Sequence, residues 1–382
     1  MAQIFIKPEL IRWARDRAGV SPVALLKYFP KLEKWERGEA QPTLRQLENF
    51  ANKTHTPFGY FFLPDPPEEK LPIPDFRTVR DNLAGRPSPN LLEMVQMMLR
   101  RQDWMREHLI DQGEKPLAFV NAARLTDHPC AVAQRIHEAL GLSADWSRRE
   151  TTWTDALRTL RTVVEYSGIM IIFNGIVGNN THRKLDVSEF RGFVLCDEYA
   201  PLIFVNNADV KAAQMFTVVH ELAHLWLGQG GVFNLRDMQP GDHQVERFCN
   251  AVAAEFLVPE KALRGCWTDA AKADEPFQFL SKYFKVSPLV TARRALDLGC
   301  INKTAFFDFY NAYLIDERRK ASTAKPGGDF YNNVEMRVGQ RFAEAVIRAA
   351  RGGRLLYRDA FQLTGLKSET FDRYAKSFGA RF

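Results

Sequence analysis

The segment 216–228, FTVVHELAHLWLG, constrains the fold of this 382-residue chain more than any other. It contains the pattern HExxH, and two histidines four residues apart on a helix lie on the same face. The imidazoles of His220 and His224 can therefore reach one metal ion. Glu221 is offset from that face by one residue, so its carboxylate can take a proton from a water molecule beside the metal.

The residues around this pattern predict a buried helix. Gly228 supplies a C-terminal stop, and the segment is apolar nearly all round. Its apolar residues are Phe216, Val218, Val219, Leu222, Leu225, Trp226 and Leu227. The alternative is a chance match, but many chance matches fall on polar helices or loops. This one follows a strand-like run at 201–206, and two histidines and a glutamate are costly to bury without a task.

A catalytic zinc site usually has three protein ligands, so HExxH requires a third one. Glu246 is the predicted third ligand, because Glu246, Asn250 and Ala253 fall on one stripe of the next helix. Small residues on that stripe let the two helices approach closely. Asp242 and His243 are alternatives, since both precede this helix.

Other side chains near these ligands have different predicted roles. If His243 is not a ligand, it can polarise a substrate carbonyl and so stabilise the transition state, or it is a plain loop residue. Cys249 is predicted to pack in the core. Glu255 lies off the Glu246 stripe and is predicted to be solvated.

The sequence VVHELAHLWLG followed by ExxxNAVAAEFLVP resembles the ImmA/IrrE metallopeptidases, whose second motif runs close to ExxANxFAAxLLMP. Cys249 and Val252 replace the usual alanine and phenylalanine, which are changes of packing only. The resemblance implies Zn²⁺ bound by His220, His224 and Glu246, with Glu221 as general base. It is specific over about residues 165–260.

Composition places the chain among globular proteins, with 46% hydrophobic residues. No apolar run approaches the ~18 residues of a membrane span, and the N-terminus does not read as a signal peptide. The five cysteines are odd in number and lack CxxC spacing. These features predict a cytoplasmic protein without membrane association.

Positive charge is concentrated at the two ends of the chain. Residues 1–63 carry 10 Lys and Arg against 6 Asp and Glu, and residues 320–382 carry 12 against 6. Basic ends are typical of modules that meet an anionic partner such as DNA. A solvated helix surface would carry the same charge.

Residues 1–63 resemble a helix-turn-helix of the phage-repressor (Xre) type, in particular over WERGEAQPTLRQLENFA, where Thr43 is the predicted N-cap. The segment between Ser21 and Trp35 is about four residues shorter than usual, and Pro30 stands where the recognition helix should begin. We therefore expect a helix-turn-helix fold that has only weak sequence specificity for DNA bases. The alternative is a helical module for docking or dimerisation.

The predicted fold class is α+β: a mainly helical, multi-domain chain with a zincin-like core flanked by helix-turn-helix-like modules. Residues 64–80 form a Pro-rich linker, and residues 81–260 the peptidase domain with a helical lead-in. Residues 261–319 form a second helix-turn-helix-like domain, and residues 329–382 a basic helical domain. Helices are predicted at 153–166 and 334–351, and strands at 168–173, 190–195 and 202–205. By resemblance, the region 190–205 is the candidate edge for substrate binding.

The predicted function is a zinc-dependent endopeptidase that acts on a regulatory protein, a repressor or a toxin-like partner, and that is fused to DNA-binding modules. Two other functions fit the same residues. One is a DNA-binding regulator or antitoxin that keeps the zincin fold as a scaffold. The other is a protein-binding module with a purely structural zinc, against which an intact Glu221 and an open coordination position argue.

Overall fold

The computed structural model describes residues 5–74, 87–233, 244–321 and 330–379. The chain is α+β, mostly helical with a small sheet. It divides into two compact units, one of residues 1–72 with 82–96 and one of residues 73–81 with 97–382. The finer division into five segments stays a prediction. Among the described residues, no helix is long and apolar enough to cross a membrane.

The helices are α1 Pro8–Ala18, α2 Pro22–Leu26, α3 Leu32–Glu36, α4 Leu44–Thr54, α5 Pro89–Asp111, α6 Pro129–Ala139, α7 Trp153–Tyr166, α8 Lys211–Leu227, α9 Gln244–Leu257, α10 Glu260–Ala270, α11 Pro276–Phe284, α12 Pro288–Asp297, α13 Lys303–Ala321, α14 Phe330–Val338, α15 Gln340–Arg351, α16 Tyr357–Thr364 and α17 Ser368–Gly379. The strands are β1 Met170–Asn174, β2 Ile176–Val177, β3 Asn180–Lys184, β4 Gly192–Leu195, β5 Leu202–Asn206 and β6 Gly231–Phe233.

The first unit contains α1 to α4 around its own apolar core. Thr43 caps α4 through a capping box with Gln46, which confirms the predicted N-cap. Trp35 and Phe50 are buried and meet edge to face. The helix α3 has only five residues, so it offers little more than one turn to any partner.

The second unit is built on a four-stranded sheet of order β1-β5-β4-β6. Strands β1 and β5 are parallel, and β4 is antiparallel to both β5 and β6. The three predicted strands are confirmed as β1, β4 and β5, and all of their residues are buried. Helix α8 packs against β4 and β5, and α9 packs against α8 and α6. This packing places the HExxH helix between the sheet and the helix that carries Glu246.

Two predictions about this unit are wrong. The region 190–205 does not offer a free strand edge, because β5 lies between β1 and β4, and β4 is paired on its other side with β6. The tail does not form one helix over 334–351. Gly339 has φ +83°, a left-handed conformation that separates α14 from α15.

Candidate metal centre

His220 and His224 on α8 meet Glu246 on α9. The two histidine Nε2 atoms are 3.0 Å apart, and they lie 3.2 and 3.3 Å from the two oxygens of the Glu246 carboxylate. Both histidines have no exposed surface, and Glu246 is 7% exposed. Among the described residues, these three are the one group of acidic, His or Cys side chains whose ligand atoms all lie within 4.8 Å of one another.

The donor set fits a zinc ion. Tetrahedral ligands at about 2.0–2.1 Å from Zn²⁺ lie about 3.3 Å from each other, close to the three distances found here. Two imidazole nitrogens and one carboxylate are a combination that zinc uses in catalytic sites with an open fourth position. The residues present therefore fit the metal that the sequence predicts.

Electrostatics favour an ionised Glu246. Burial by itself would raise the pKa of this carboxyl, but the adjacent imidazoles of His220 and His224 outweigh burial and hold the pKa at about 2. The carboxylate is thus in the protonation state that a metal ligand requires.

Glu221 lies beside the three candidate ligands in the interior of the second unit. It is fully buried, and neither of its carboxylate oxygens has a hydrogen-bond partner among the described residues. Burial, and then the charge of Glu246, raise its pKa well above the usual value. A buried carboxylate without partners is costly, and such groups are found where chemistry needs them.

Backbone hydrogen bonds hold the C-terminal end of the HExxH helix. Gly228 ends α8 in the left-handed conformation, as the sequence predicts. The amides of Asn121 and Ala123 donate to the last carbonyls of α8, those of Leu225 and Trp226. The Leu225 carbonyl also accepts from the amide of Gly228, so the last turn of α8, which includes His224, is held by hydrogen bonds from two segments of the chain.

Glu255 is not solvated, contrary to the prediction. Its carboxylate pairs with the guanidinium of Arg294 on α12, and both side chains are at most 13% exposed. The same guanidinium donates to the carbonyl of Val258, just beyond the end of α9. Glu255 and Arg294, which are 39 residues apart in the chain, therefore fix the C-terminal end of α9 against α12.

Of the remaining residues near the cluster, the structure describes some and not others. Asp242 and His243 lie outside the described residues. Cys249 is buried, and its side chain is not part of the cluster. Cys196, which the sequence did not single out, donates through Sγ to the carbonyl oxygen of His224.

Sequence reasoning also missed Gly192, the first residue of β4. A Cβ at this position would lie 2.9 Å from Oε1 of Glu221. A glycine inside a run of strand residues is the signal that could have revealed it, because such a glycine often marks a close approach of another group to the backbone.

One family model matches the part of the chain that contains this cluster. Residues 164–296 match the family model of the IrrE N-terminal-like domain, a peptidase family. The match spans the sheet, both histidines and Glu246, and covers less than half of the chain. Residues 338–377 match a domain of unknown function, DUF8813. No curated protein matches the chain.

Proposed function

We propose that this protein is a zinc-dependent endopeptidase that cleaves a regulatory protein, a repressor or a toxin-like partner. The observation that carries the proposal is the fully buried carboxylate of Glu221, which lies next to the cluster of His220, His224 and Glu246 and has no hydrogen-bond partner among the described residues. The match of this segment to a peptidase family supports it. The family match does not identify a substrate. The proposal that the substrate is a regulatory protein rests only on the resemblance to the ImmA/IrrE metallopeptidases.

In this proposal each side chain has a separate task. His220, His224 and Glu246 hold the metal. Zinc held by these residues would supply a Lewis acid that polarises the scissile carbonyl and lowers the pKa of a water molecule to about 7. Glu221 takes the proton of the attacking water and returns it to the leaving amine. His243 is proposed to stabilise the transition state.

We also propose that the terminal modules contact DNA. Four basic residues of the first unit are exposed and have no acidic partner among the described residues: Lys27, Lys31, Lys34 and Arg45. Lys53 lies 4.1 Å from the centre of the exposed ring of Tyr28. The five-residue α3 is too short for extensive base reading, so we expect contacts mainly to phosphates.

One observation favours the alternative function, a regulator or antitoxin that uses the domain as a scaffold. Strand β6 occupies the edge of β4, next to the position of Glu221. A substrate that binds as an added strand at β4 must first displace β6. A protein that never cleaves a substrate has no need of that edge.

The variant Glu221→Gln separates the two functions, because it keeps the size of the side chain and removes the proton acceptor. The peptidase proposal predicts that this variant loses cleavage of the cellular partner by ~10²–10⁴-fold while zinc content is retained. The exposed Glu107 on α5 gives a matched control, Glu107→Gln, which should behave as the parent. The assay produces each variant in cells together with a candidate regulatory protein and blots that protein for fragments.

Unchanged performance of the cellular task by Glu221→Gln, together with no zinc-dependent fragment from the parent, would overturn the peptidase proposal. The scaffold function would then take its place.

A further inference from the structure

Gly192 lies where no side chain fits. It is buried in the interior of the sheet, paired with Val205 of β5 and Phe233 of β6. A Cβ at Gly192 would lie 2.6 Å from Cγ2 of Thr217, 2.9 Å from Oε1 of Glu221 and 2.9 Å from the carbonyl oxygen of Phe204. Real Cβ atoms essentially never come closer than 3.0 Å to another heavy atom.

Space, and not backbone conformation, therefore explains this glycine. Gly192 is absent from the residues with positive φ, so any amino acid could adopt its backbone angles. The missing side chain leaves room for atoms of α8 against the backbone of β4. Two of the three close atoms belong to that helix, on residues one turn apart, Thr217 and Glu221.

The three close atoms differ in how easily they can move. The carbonyl of Phe204 belongs to the neighbouring strand, and Thr217 is fixed by a 3.1 Å hydrogen bond from Oγ1 to the carbonyl of Ala213. The Glu221 carboxylate ends a side chain with several rotatable bonds, and no described residue hydrogen-bonds to it. A side chain at position 192 would therefore displace the carboxylate of Glu221 first.

We propose that Gly192 is a positioning residue for Glu221: by leaving the surface of β4 open, it determines where the carboxylate lies relative to His220, His224 and Glu246. The catalytic consequence rests on the proposed peptidase function. The contact between position 192 and the Glu221 carboxylate does not depend on that function. The position of a general base matters because a misplacement of about 1 Å can lower a rate by about 10²-fold.

The contact is tested by a double-mutant cycle that needs no substrate. The four proteins are the parent, Gly192→Ala, Glu221→Ala and the double variant, each as the full chain. We expect Gly192→Ala to lower the melting temperature of the parent, and to lower it clearly less when Glu221 is already truncated, because the displaced side chain is then gone. Equal decreases in the two backgrounds would overturn the inference, because Thr217 and Phe204 would then account for the whole effect.

Gly230 provides the matched control. A Cβ there would meet only backbone and side-chain atoms of the same sheet region, 3.0 Å from the carbonyl of Val194 and 3.2 Å from the amide of Cys196. Gly230→Ala should therefore destabilise by the same amount with and without Glu221. If Gly192→Ala does not fold, the cycle is repeated with Thr217→Ser in all proteins, which removes the closest atom and keeps the Glu221 contact.

Activity is the second readout. Once a cleaved partner is known, Gly192→Ala should lower kcat by about 10- to 100-fold at unchanged KM and zinc content, and Gly230→Ala should leave kcat near the parent value. In a Glu221→Gln background, Gly192→Ala should cause no further loss, and an additional loss there would overturn the positioning role. If the parent cleaves nothing, the peptidase proposal fails, whereas the stability cycle still decides whether position 192 controls Glu221.

Discussion

Arg101 on α5 is predicted to hold the C-terminal helices α14 and α16 in place within the second unit. Its side chain is only 4% exposed and has no carboxylate partner among the described residues. The guanidinium instead donates to the carbonyls of Arg337 and Leu363, each at 2.9 Å, and of Thr364 at 3.3 Å. These carbonyls lie in the last turns of α14 and α16. A buried cation thus meets two helix C-termini, which carry partial negative charge.

The effect of removing this side chain can be estimated from those bonds. Burial, and then the charge of Arg100, lower the pKa of Arg101 to about 10, so it remains charged at neutral pH. Arg101→Met keeps an apolar stem and leaves three buried carbonyls without a donor, at about 1–3 kcal/mol for each unsatisfied group. Relief of the buried charge offsets part of this loss, so we expect a net loss of roughly 3–5 kcal/mol. Arg101→Lys keeps the charge but cannot reach three acceptors in a fork, so its loss should be smaller.

Hydrogen exchange read by mass spectrometry is the suitable assay, because a chain of several units need not unfold in one step. Amides of α14, α15 and α16 should lose protection in Arg101→Met, while amides of α8 and α9 change less. The exposed neighbour Arg100 gives the control Arg100→Met, expected within about 0.5 kcal/mol of the parent. Parent-like protection of α14 and α16 in Arg101→Met would refute the reasoning. The segment that matches DUF8813 would then be held by other interactions.

Three further predictions concern the metal, pH and DNA. Glu246→Gln should lose zinc to a competing chelator, whereas Glu255→Gln should keep zinc and melt at a lower temperature. A Glu246→Gln variant that metal analysis shows to be fully loaded would refute the assignment of Glu246 as the third ligand. Burial raises the pKa of Glu165 in the folded state to about 7, above its value in the unfolded chain. The protonated carboxyl therefore contributes fully to the free energy of unfolding below the unfolded-state pKa, and this contribution is lost as the pH rises through 7. Glu165→Gln should therefore raise the melting temperature on the order of 5 °C at pH 8 and little at pH 5, and an equal gain at both pH values would contradict this. Alanine at Lys31 and Lys34 should weaken DNA binding alike for all sequences, and the salt slope should fall by about 0.9 for each phosphate that the protein no longer neutralises; absence of binding by the parent at low salt would favour a docking role for the first unit.

Much of the fold follows from local sequence signals. The HExxH helix and the helix of Glu246 are each recognisable from apolar periodicity and spacing. The helix predicted at 153–166 has the bounds Trp153–Tyr166, because Thr152 caps its first turn and Ser167 follows its last residue. The turn between α11 and α12 is likewise set by Ser287, which caps α12, and by Pro288 after it.

The features that the sequence did not reveal depend on distant partners. Strand β6 has only three residues, too few for any periodic pattern, and exists as a strand because β4 pairs with it. Strand β3, NTHRK, has no buried residue and no apolar alternation. Glu255 reads as a surface residue until Arg294 is brought beside it. For β6 and Glu255 the deciding interaction joins segments that no short window of the sequence contains, whereas β3 pairs with the nearby β2.

The state of Glu221 bears most directly on the choice between enzyme and scaffold. A fully buried carboxyl group with no hydrogen-bond partner among the described residues destabilises the fold, because in either protonation state it loses its hydrogen bonds to water and gains no described replacement. An apolar residue of similar size would fill the same space next to Gly192 without burying a polar group. Residues that break a local rule of stability are expected where function requires them. A scaffold gains nothing from this carboxylate, whereas an enzyme that must move a proton beside His220 and His224 depends on it.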